Sequence, residues 1–189
     1  TNTYSGTTSV TGGTLTINSA SSLGTSNNLS ISAATFALAA SSSATLANTV
    51  PIALTGANTF DVLGTNLTLQ GVISGTGSFN KTGSGTLTIS GVNTYSGGTT
   101  ISAGTLALSG SGTLGSGPVT LAGGSLDTGG GDISYNLVLS GVNTFNVATG
   151  LTSTLSGVIS GTGSLALTGG GTLRLTNTNS YSGGSTATS

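Results

Sequence analysis

Cysteine, histidine, methionine and tryptophan do not occur in the 189 residues. Without histidine or cysteine, zinc sites of the usual kind and histidine-based nucleophilic triads are excluded. No disulfide framework is possible, which suits a secreted protein that avoids disulfides and many cytosolic proteins equally. Charge is nearly absent. Lys81 and Arg174 are the basic residues, Asp61, Asp127 and Asp132 the acidic ones, and the net charge is −1. A charged fraction of 3% lies far below the roughly 25% of an average domain. Two basic residues far apart cannot make the clustered field that nucleic acid requires, so nucleic acid is excluded as a partner. No apolar run approaches the roughly 20 residues of a membrane-spanning helix. The sequence opens at Thr1 without a charged n-region or apolar h-region, so no signal peptide is expected within it. It reads as a segment of a longer protein whose targeting and anchoring parts lie elsewhere.

What is present is threonine (37), serine (31) and glycine (34), together 102 of 189 residues. That share suits a disordered low-complexity chain. Two facts argue for order instead: the mean hydropathy is positive at +0.32, and the apolar residues alternate. Residues 85–108 show the pattern best. Leu87 and Ile89 alternate with Thr86, Thr88 and Ser90, and Leu106 and Leu108 alternate with Thr105, Ala107 and Ser109. A period of two places the apolar residues of each run on one face. Between the runs lies Asn93-Thr94-Tyr95-Ser96-Gly97-Gly98, which can turn without strain because Asn and Gly tolerate positive φ.

The phrase recurs as Asn2-Thr3-Tyr4-Ser5-Gly6 and as Asn179-Ser180-Tyr181-Ser182-Gly183-Gly184. A second phrase, Gly71-Val72-Ile73-Ser74-Gly75-Thr76-Gly77-Ser78, returns unchanged at 157–164, and Asn58-Thr59-Phe60 returns as Asn143-Thr144-Phe145. The offsets are 91 residues from Tyr4 to Tyr95, 85 from Phe60 to Phe145 and 86 from Tyr95 to Tyr181. The chain is therefore expected to be one β-solenoid segment made of unit one (1–91), unit two (92–178) and the start of a third (179–189). The units differ in length at 40–50, opposite 128–135, where an irregular bulge is expected.

Helix is not expected, since Ser, Thr, Gly and Asn are mediocre or poor in helix interiors. Short strands bounded by Gly, Ser or Asn are expected at 14–18, 28–32, 35–39, 45–47, 52–55, 66–70, 78–81 and 86–90. In unit two they are expected at 105–109, 119–122, 125–127, 136–140, 152–156, 164–168 and 172–176. Pro51 and Pro118 stand where strands begin, where a missing N–H is tolerated. Strand groups recur every roughly 15–25 residues and the groups themselves every 86–91. A coiling solenoid with four or five rungs per unit accounts for both periods. Leu15, Ile17, Leu87, Ile89, Leu106, Leu108, Leu173 and Leu175 should all be core.

Residues 85–108 resemble the autotransporter-associated β-strand repeat, also called the passenger-associated transport repeat. The matching features are Gly85-Thr86-Leu87-Thr88-Ile89, then Gly91-x-Asn93-Thr94-Tyr95-Ser96-Gly97-Gly98-Thr99-Thr100-Ile101, then Gly104-Thr105-Leu106-x-Leu108. The last copy departs at Asn177 and Ser180, and the first at Thr7 and Val10. The resemblance implies a right-handed parallel β-helix in the secreted passenger of a bacterial surface protein. It supplies no catalytic residue.

Candidate sites are few. Asp127 and Asp132 are the only neighbouring carboxylates, and glycoside hydrolysis needs two carboxyl groups roughly 5–10 Å apart. With no Arg, Lys or aromatic platform nearby, they read as solvated loop charges. The tandem nonapeptide of calcium-binding repeat turns is absent. Lys81 reads as a charge at a strand end, because its counterpart in unit two is Leu167. Tyr4, Tyr95 and Tyr181 form either an aromatic row for glycan stacking or corner covers of the core, the second reading being preferred. The Thr-x-Thr phrases Thr14-Leu15-Thr16 and Thr86-Leu87-Thr88 would suit an ice-binding ladder, but the corresponding Thr172-Leu173-Arg174 interrupts it. The expectation is a non-enzymatic extracellular stalk, fibre or adhesin scaffold, stacked end to end with like repeats. It has no catalytic, metal or cofactor residues. Glycans are a further candidate partner, and a carbohydrate-active β-helix enzyme is the alternative.

Overall fold

The computed structural model describes residues 2–25, 28–47 and 49–188. Among these residues every strand pairing is parallel, apart from an isolated antiparallel bridge between Ala148 and Gly170. The strands lie on three faces that the chain visits in turn.

The first face carries β1 (Thr8–Thr11), β3 (Leu29–Ser32), β6 (Ile52–Thr55) and β9 (Ile73–Gly75). The second carries β2 (Thr14–Ile17), β4 (Thr35–Leu38), β7 (Ala57–Val62), β10 (Ser78–Thr82), β12 (Thr99–Ile101), β14 (Val119–Leu121), β16 (Leu137–Leu139) and β19 (Ile159–Gly161). The third carries β5 (Ser43–Leu46), β8 (Asn66–Leu69), β11 (Thr86–Ile89), β13 (Thr105–Leu108), β15 (Ser125–Asp127), β17 (Val142–Asn146), β20 (Ser164–Thr168) and β22 (Ser185–Ala187). Beyond β9 the first face loosens. Thr94 N–H still donates to the Ile73 carbonyl (2.9 Å) and Ser116 N–H to that of Tyr95 (2.9 Å). Ile133 bridges to Leu155, and β18 (Thr152–Leu155) pairs with β21 (Thr172–Leu175). The result is a β-solenoid of about 8 turns.

Alternation puts one set of residues inside. On the third face Ala44, Leu67, Leu87, Leu106, Leu126, Phe145, Leu167 and Ala187 stand in a single column. On the second face the column is Leu15, Phe36, Phe60, Lys81, Ile101, Leu121, Leu139 and Gly161. From Leu67 to Phe145 and from Phe36 to Leu139 the columns are fully buried, worth roughly 1.5–3 kcal/mol for each apolar side chain, whereas Leu15 and Leu167 are half-buried and Ala187 is exposed. Aromatics stack through the lower core. Phe36 and Phe60 have ring centroids 6.0 Å apart, Phe60 and Phe79 4.3 Å, and Phe79 and Tyr95 5.8 Å.

The two long units do not stack copy on copy. Between the side holding Tyr4 and the side holding Tyr95 lie β1 to β11 and a 3-10 turn at Ala20–Leu23, twelve sides in all. Between Tyr95 and Tyr181 lie β12 to β21 and the two irregular sides around Thr113–Ser116 and Asp132–Tyr135, again twelve. Each unit is thus thirteen sides, or four turns and one side more. The phrase moves on by one face per unit: Tyr4 lies on the third face, Tyr95 on the first and Tyr181 on the second.

Several expectations need correction. The stretch 40–50 is not wholly irregular, because it contains β5 in register beneath β8. Short runs ending in glycine or asparagine, such as Ile73–Gly75, Ile159–Gly161 and Val142–Asn146, are strands. Three residues, as in Ile73–Gly75 and Ile159–Gly161, are too few for a visible period, and the ladders of neighbouring turns hold them extended. The 3-10 turn at Ala20–Leu23 was not anticipated. Ile17, Leu87, Ile89, Leu106 and Leu108 are buried, but Leu15 and Leu173 are half-buried and Leu175 is 38% exposed. Leu173 and Leu175 lie in β21, which among the described residues pairs with β18 alone.

Candidate functional site

The recurrent phrase is the first place to look for a site, and its groups are spent on the fold. The tyrosine hydroxyl bonds the hydroxyl four residues on in all three copies: Tyr4 with Thr8 (2.9 Å), Tyr95 with Thr99 (2.6 Å), and Tyr181 with Ser185. This closes the turn that leads into the next strand. Tyr95 is fully buried, and burial raises the pKa of its phenol, with the Thr99 bond opposing. Gly97 lies where an added Cβ would sit 2.4 Å from Gly77 carbonyl carbon, and Gly183 makes the same approach to Gly163. Neither glycine has positive φ. Both are needed for closeness rather than for backbone freedom.

Asparagines tie adjacent turns. Ile73 N–H donates to Asn93 Oδ1 (2.7 Å), and Asn93 Nδ2 donates upward to the Thr113 carbonyl (2.7 Å). Asn58 Nδ2 faces the carbonyls of Thr55, Gly56 and Ser78 at 3.0–3.3 Å, and its Oδ1 accepts from Ala34 N–H. Asn143 repeats the arrangement with Ser140, Gly141, Ser164 and Gly123. A buried amide satisfied on both ends fixes register at each corner. Among the described residues no buried side-chain nitrogen or oxygen lacks a partner.

Lys81 is not a charge at a strand end. It points inward from β10 between Phe60 and Ile101 and is completely buried. Its ammonium donates to the carbonyls of Thr82 (2.6 Å), Gly83 (2.8 Å) and Ala103 (3.2 Å). Burial lowers its pKa from 10.5 to about 8, while the charge of Asp61 pulls it back up. Leu167 of unit two lies on the third face instead. The corner carbonyls after it, of Thr168 and Gly169, accept from Val147 N–H and Thr149 Oγ1 (both 3.0 Å). The lysine is a local answer to carbonyls that unit two satisfies otherwise.

The two carboxylates have separate partners. Asp127 projects outward from β15, with Oδ1 held by Gly129 N–H (2.9 Å) and Oδ2 by Asn146 Nδ2 (2.7 Å). Asp132 lies past the corner, where its Oδ1 accepts from Thr154 N–H (3.1 Å). It lines a shallow depression of ≈ 250 Å³ with Ser111, Gly112, Thr128 and Ile133, and Asp127 is not part of that lining. Among the described residues no group of three or more potential metal ligands occurs.

The tyrosines make no row: they stand on three faces, with Tyr95 sealed, Tyr4 43% exposed and Tyr181 half-buried. The Thr-x-Thr phrases separate likewise. Thr14 to Thr16 lie on the second face, Thr86 to Thr88 on the third, and Thr172 to Arg174 on the first, beside β18. Arg174 therefore interrupts no ladder containing Thr86. The outer neighbours of Thr86 and Thr88 are Asn66 and Thr68 below and Thr105 and Ala107 above.

Parallel turns, inward columns and corner latches define a β-solenoid built for stacking. Segments 1–17, 79–108 and 165–189 match the family model of the passenger-associated transport repeat. Each contains one copy of the tyrosine phrase or, in 165–189, ends with it and the strand after it. No curated protein and no solved structure matches the chain. No helix among the described residues is long and apolar enough to cross a membrane.

Proposed function

We propose that this chain is a non-enzymatic structural solenoid of a bacterial passenger protein, acting outside the cell as a stalk or scaffold. One observation carries the reading. Of the side chains that recur in the phrase, the tyrosine closes its own turn on the hydroxyl four residues on, the asparagine bonds the adjacent turn, and the glycine lets the two backbones approach. Recurrence here is explained by the repeated need to close a turn, with nothing left over that addresses a ligand. A parallel ladder advancing about 4.8 Å per turn makes a stiff rod, and its outer ranks of Thr, Ser and Asn keep it wetted with almost no charge.

Like repeats stacked end to end are its natural neighbours. Leu165, Leu167, Leu173 and Leu175 line one apolar depression. Small-angle scattering of the chain should give a rod, and light scattering should show association growing with concentration. Hydrolysis of a polysaccharide that is lost in Asp127→Asn or Asp132→Asn would overturn the reading.

A further inference from the structure

Three Asn-x-Ser/Thr triplets occur in the chain: Asn28-Leu29-Ser30, Asn66-Leu67-Thr68 and Asn80-Lys81-Thr82. Such a triplet is the acceptor pattern for an N-linked sugar. In an extended strand the asparagine and the hydroxyl two residues on point to one side. The two groups that a transferase reads are then presented together. What separates the three triplets is whether those groups are free and in the open.

In β10 both groups are engaged. Asn80 Oδ1 accepts from Ser102 Oγ (2.7 Å), and Thr82 Oγ1 donates to Asp61 Oδ1 (2.9 Å). Both residues are half-buried. Asn28 directly follows residues 26–27, which lie outside the described residues, and it is not free. The triplet in β8 differs. Asn66 is exposed, Thr68 half-buried and Leu67 fully buried between them, so the first two share the outer side of the third face. Neither the Asn66 amide nor the Thr68 hydroxyl bonds another described residue. Asn58, Asn93 and Asn143 are latches between turns, and Asn66 is not. The outward neighbours in register are Ser43 and Thr86 beside Asn66, and Thr45 and Thr88 beside Thr68. All four are short and uncharged, so no ring or charge crowds the amide.

We propose that Asn66 is a glycosylation site whose donor is a sugar carried on a diphosphate. Asn66 Nδ2 attacks the anomeric carbon. The new C–N bond forms as the C–O bond to the diphosphate breaks. The diphosphate leaves with the bonding pair, and Nδ2 gives up one proton to a base of the transferase. Thr68 is the positioning residue, read by the transferase beside the amide. The attached sugar lies over the short hydroxyl side chains of the third face. The ladders from β8 to β5 and β11 are main-chain bonds, so an outward glycan leaves them closed. Asn66 has a strand on either side, so the site does not depend on what stacks on the solenoid. The inference goes beyond the scaffold reading and does not rest on it.

The test offers the folded full chain to two purified transferases that accept Asn-x-Ser/Thr. One arm uses an asparagine glucosyltransferase with UDP-glucose, the other an oligosaccharyltransferase with a lipid-diphosphate oligosaccharide. Glycopeptide mass spectrometry reads the modified residue. At least one arm should label Asn66 at least tenfold more than Asn80, and the arm that does so identifies the donor. Free peptides of residues 62–72 and 76–86 should be labelled alike, which shows that the fold makes the selection. Asn66→Gln and Thr68→Val should each lower labelling at position 66 at least tenfold with the melting curve unchanged, whereas Thr68→Ser should keep it. No labelling of Asn66 in either arm overturns the inference. So does equal labelling of Asn80 in the folded chain, or labelling of Asn66 that survives Thr68→Val. Each of these results leaves the scaffold reading standing, because rod shape and stacking are measured separately.

Discussion

Tyr95 and Tyr181 belong to the same phrase, 86 residues apart, and make the same bonds to the hydroxyl four residues on and to the turn beneath. Tyr95 is sealed in the core, where its ring stacks on Phe79, whereas Tyr181 is half-buried. The difference lies in what surrounds the phrase. Tyr95 has a turn above it, whose Ser116 bonds its carbonyl, and an aromatic column beside it. The hydrogen bonds of the phrase are local property, and its burial is lent by neighbours. A solenoid repeat therefore has a conformation before it has a stability, and the latter grows only as turns accumulate on both sides.

The largest break in this comparison should come from the rings. Tyr95→Ala should destabilise the fold by about 3–5 kcal/mol, the range for large aromatic truncation in a core, whereas Tyr181→Ala should cost below about 1 kcal/mol. Chemical denaturation of the two variants measures the contrast, and equal losses would show that burial is not what separates them. Next comes the leucine column. Leu106→Ala should cost about 2–5 kcal/mol as a buried cavity, and Leu175→Ala much less, because Leu175 is already partly in water.

The two units can also be separated by pH. The folded pKa of Lys81 is about 8 and its ordinary value 10.5. Below pH 8 both folded and unfolded chains carry the proton, so the cost of burying the ammonium is felt in full. Between pH 8 and 10.5 the folded chain holds fewer protons than the unfolded one, so stability rises with pH. The rise should be on the order of 1–3 kcal/mol. Tyr95, whose pKa is raised by burial, works the other way above pH 10, where the folded chain keeps a proton that the unfolded chain releases. Urea melts at pH 7.5 and 10 should thus show a gain in the native chain that Lys81→Met lacks. The smallest effect expected is at the surface: Asp127→Asn should shift stability by less than about 0.5 kcal/mol, since an amide oxygen can still accept from Gly129 N–H.

The class of fold was legible because alternation, glycine-bounded runs and the 86–91-residue recurrence all follow from local chemistry. Leu87 and Ile89 had to face one way and Thr86 and Thr88 the other. The asparagine of the phrase could be read as a corner cap, and Tyr95 as a core cover, since both act within their own turn or the next. Alternation from Phe79 already puts Lys81 on the inward face, and the residue was misread because the carbonyls of Thr82, Gly83 and Ala103 that satisfy a buried ammonium come together only in the folded corner. Its position opposite Phe60 and Ile101 exists only after the turns are stacked.

The amino-acid sequence by itself determined the alternating strands and the glycine- and asparagine-bearing corners, for these depend on residues a few positions apart, whereas the shortest strands and the thirteen sides of a unit appear only once the turns are stacked. Which residues lie above one another was decided by the tertiary structure. Thirteen sides do not divide evenly among three faces, so like phrases are carried round the coil instead of meeting. Thr14, Thr86 and Thr172 begin near-identical strands and never share a face. The neighbours that bury, stack or desolvate a residue come from the turn about 20 residues away, and the arithmetic of the coil selects that turn.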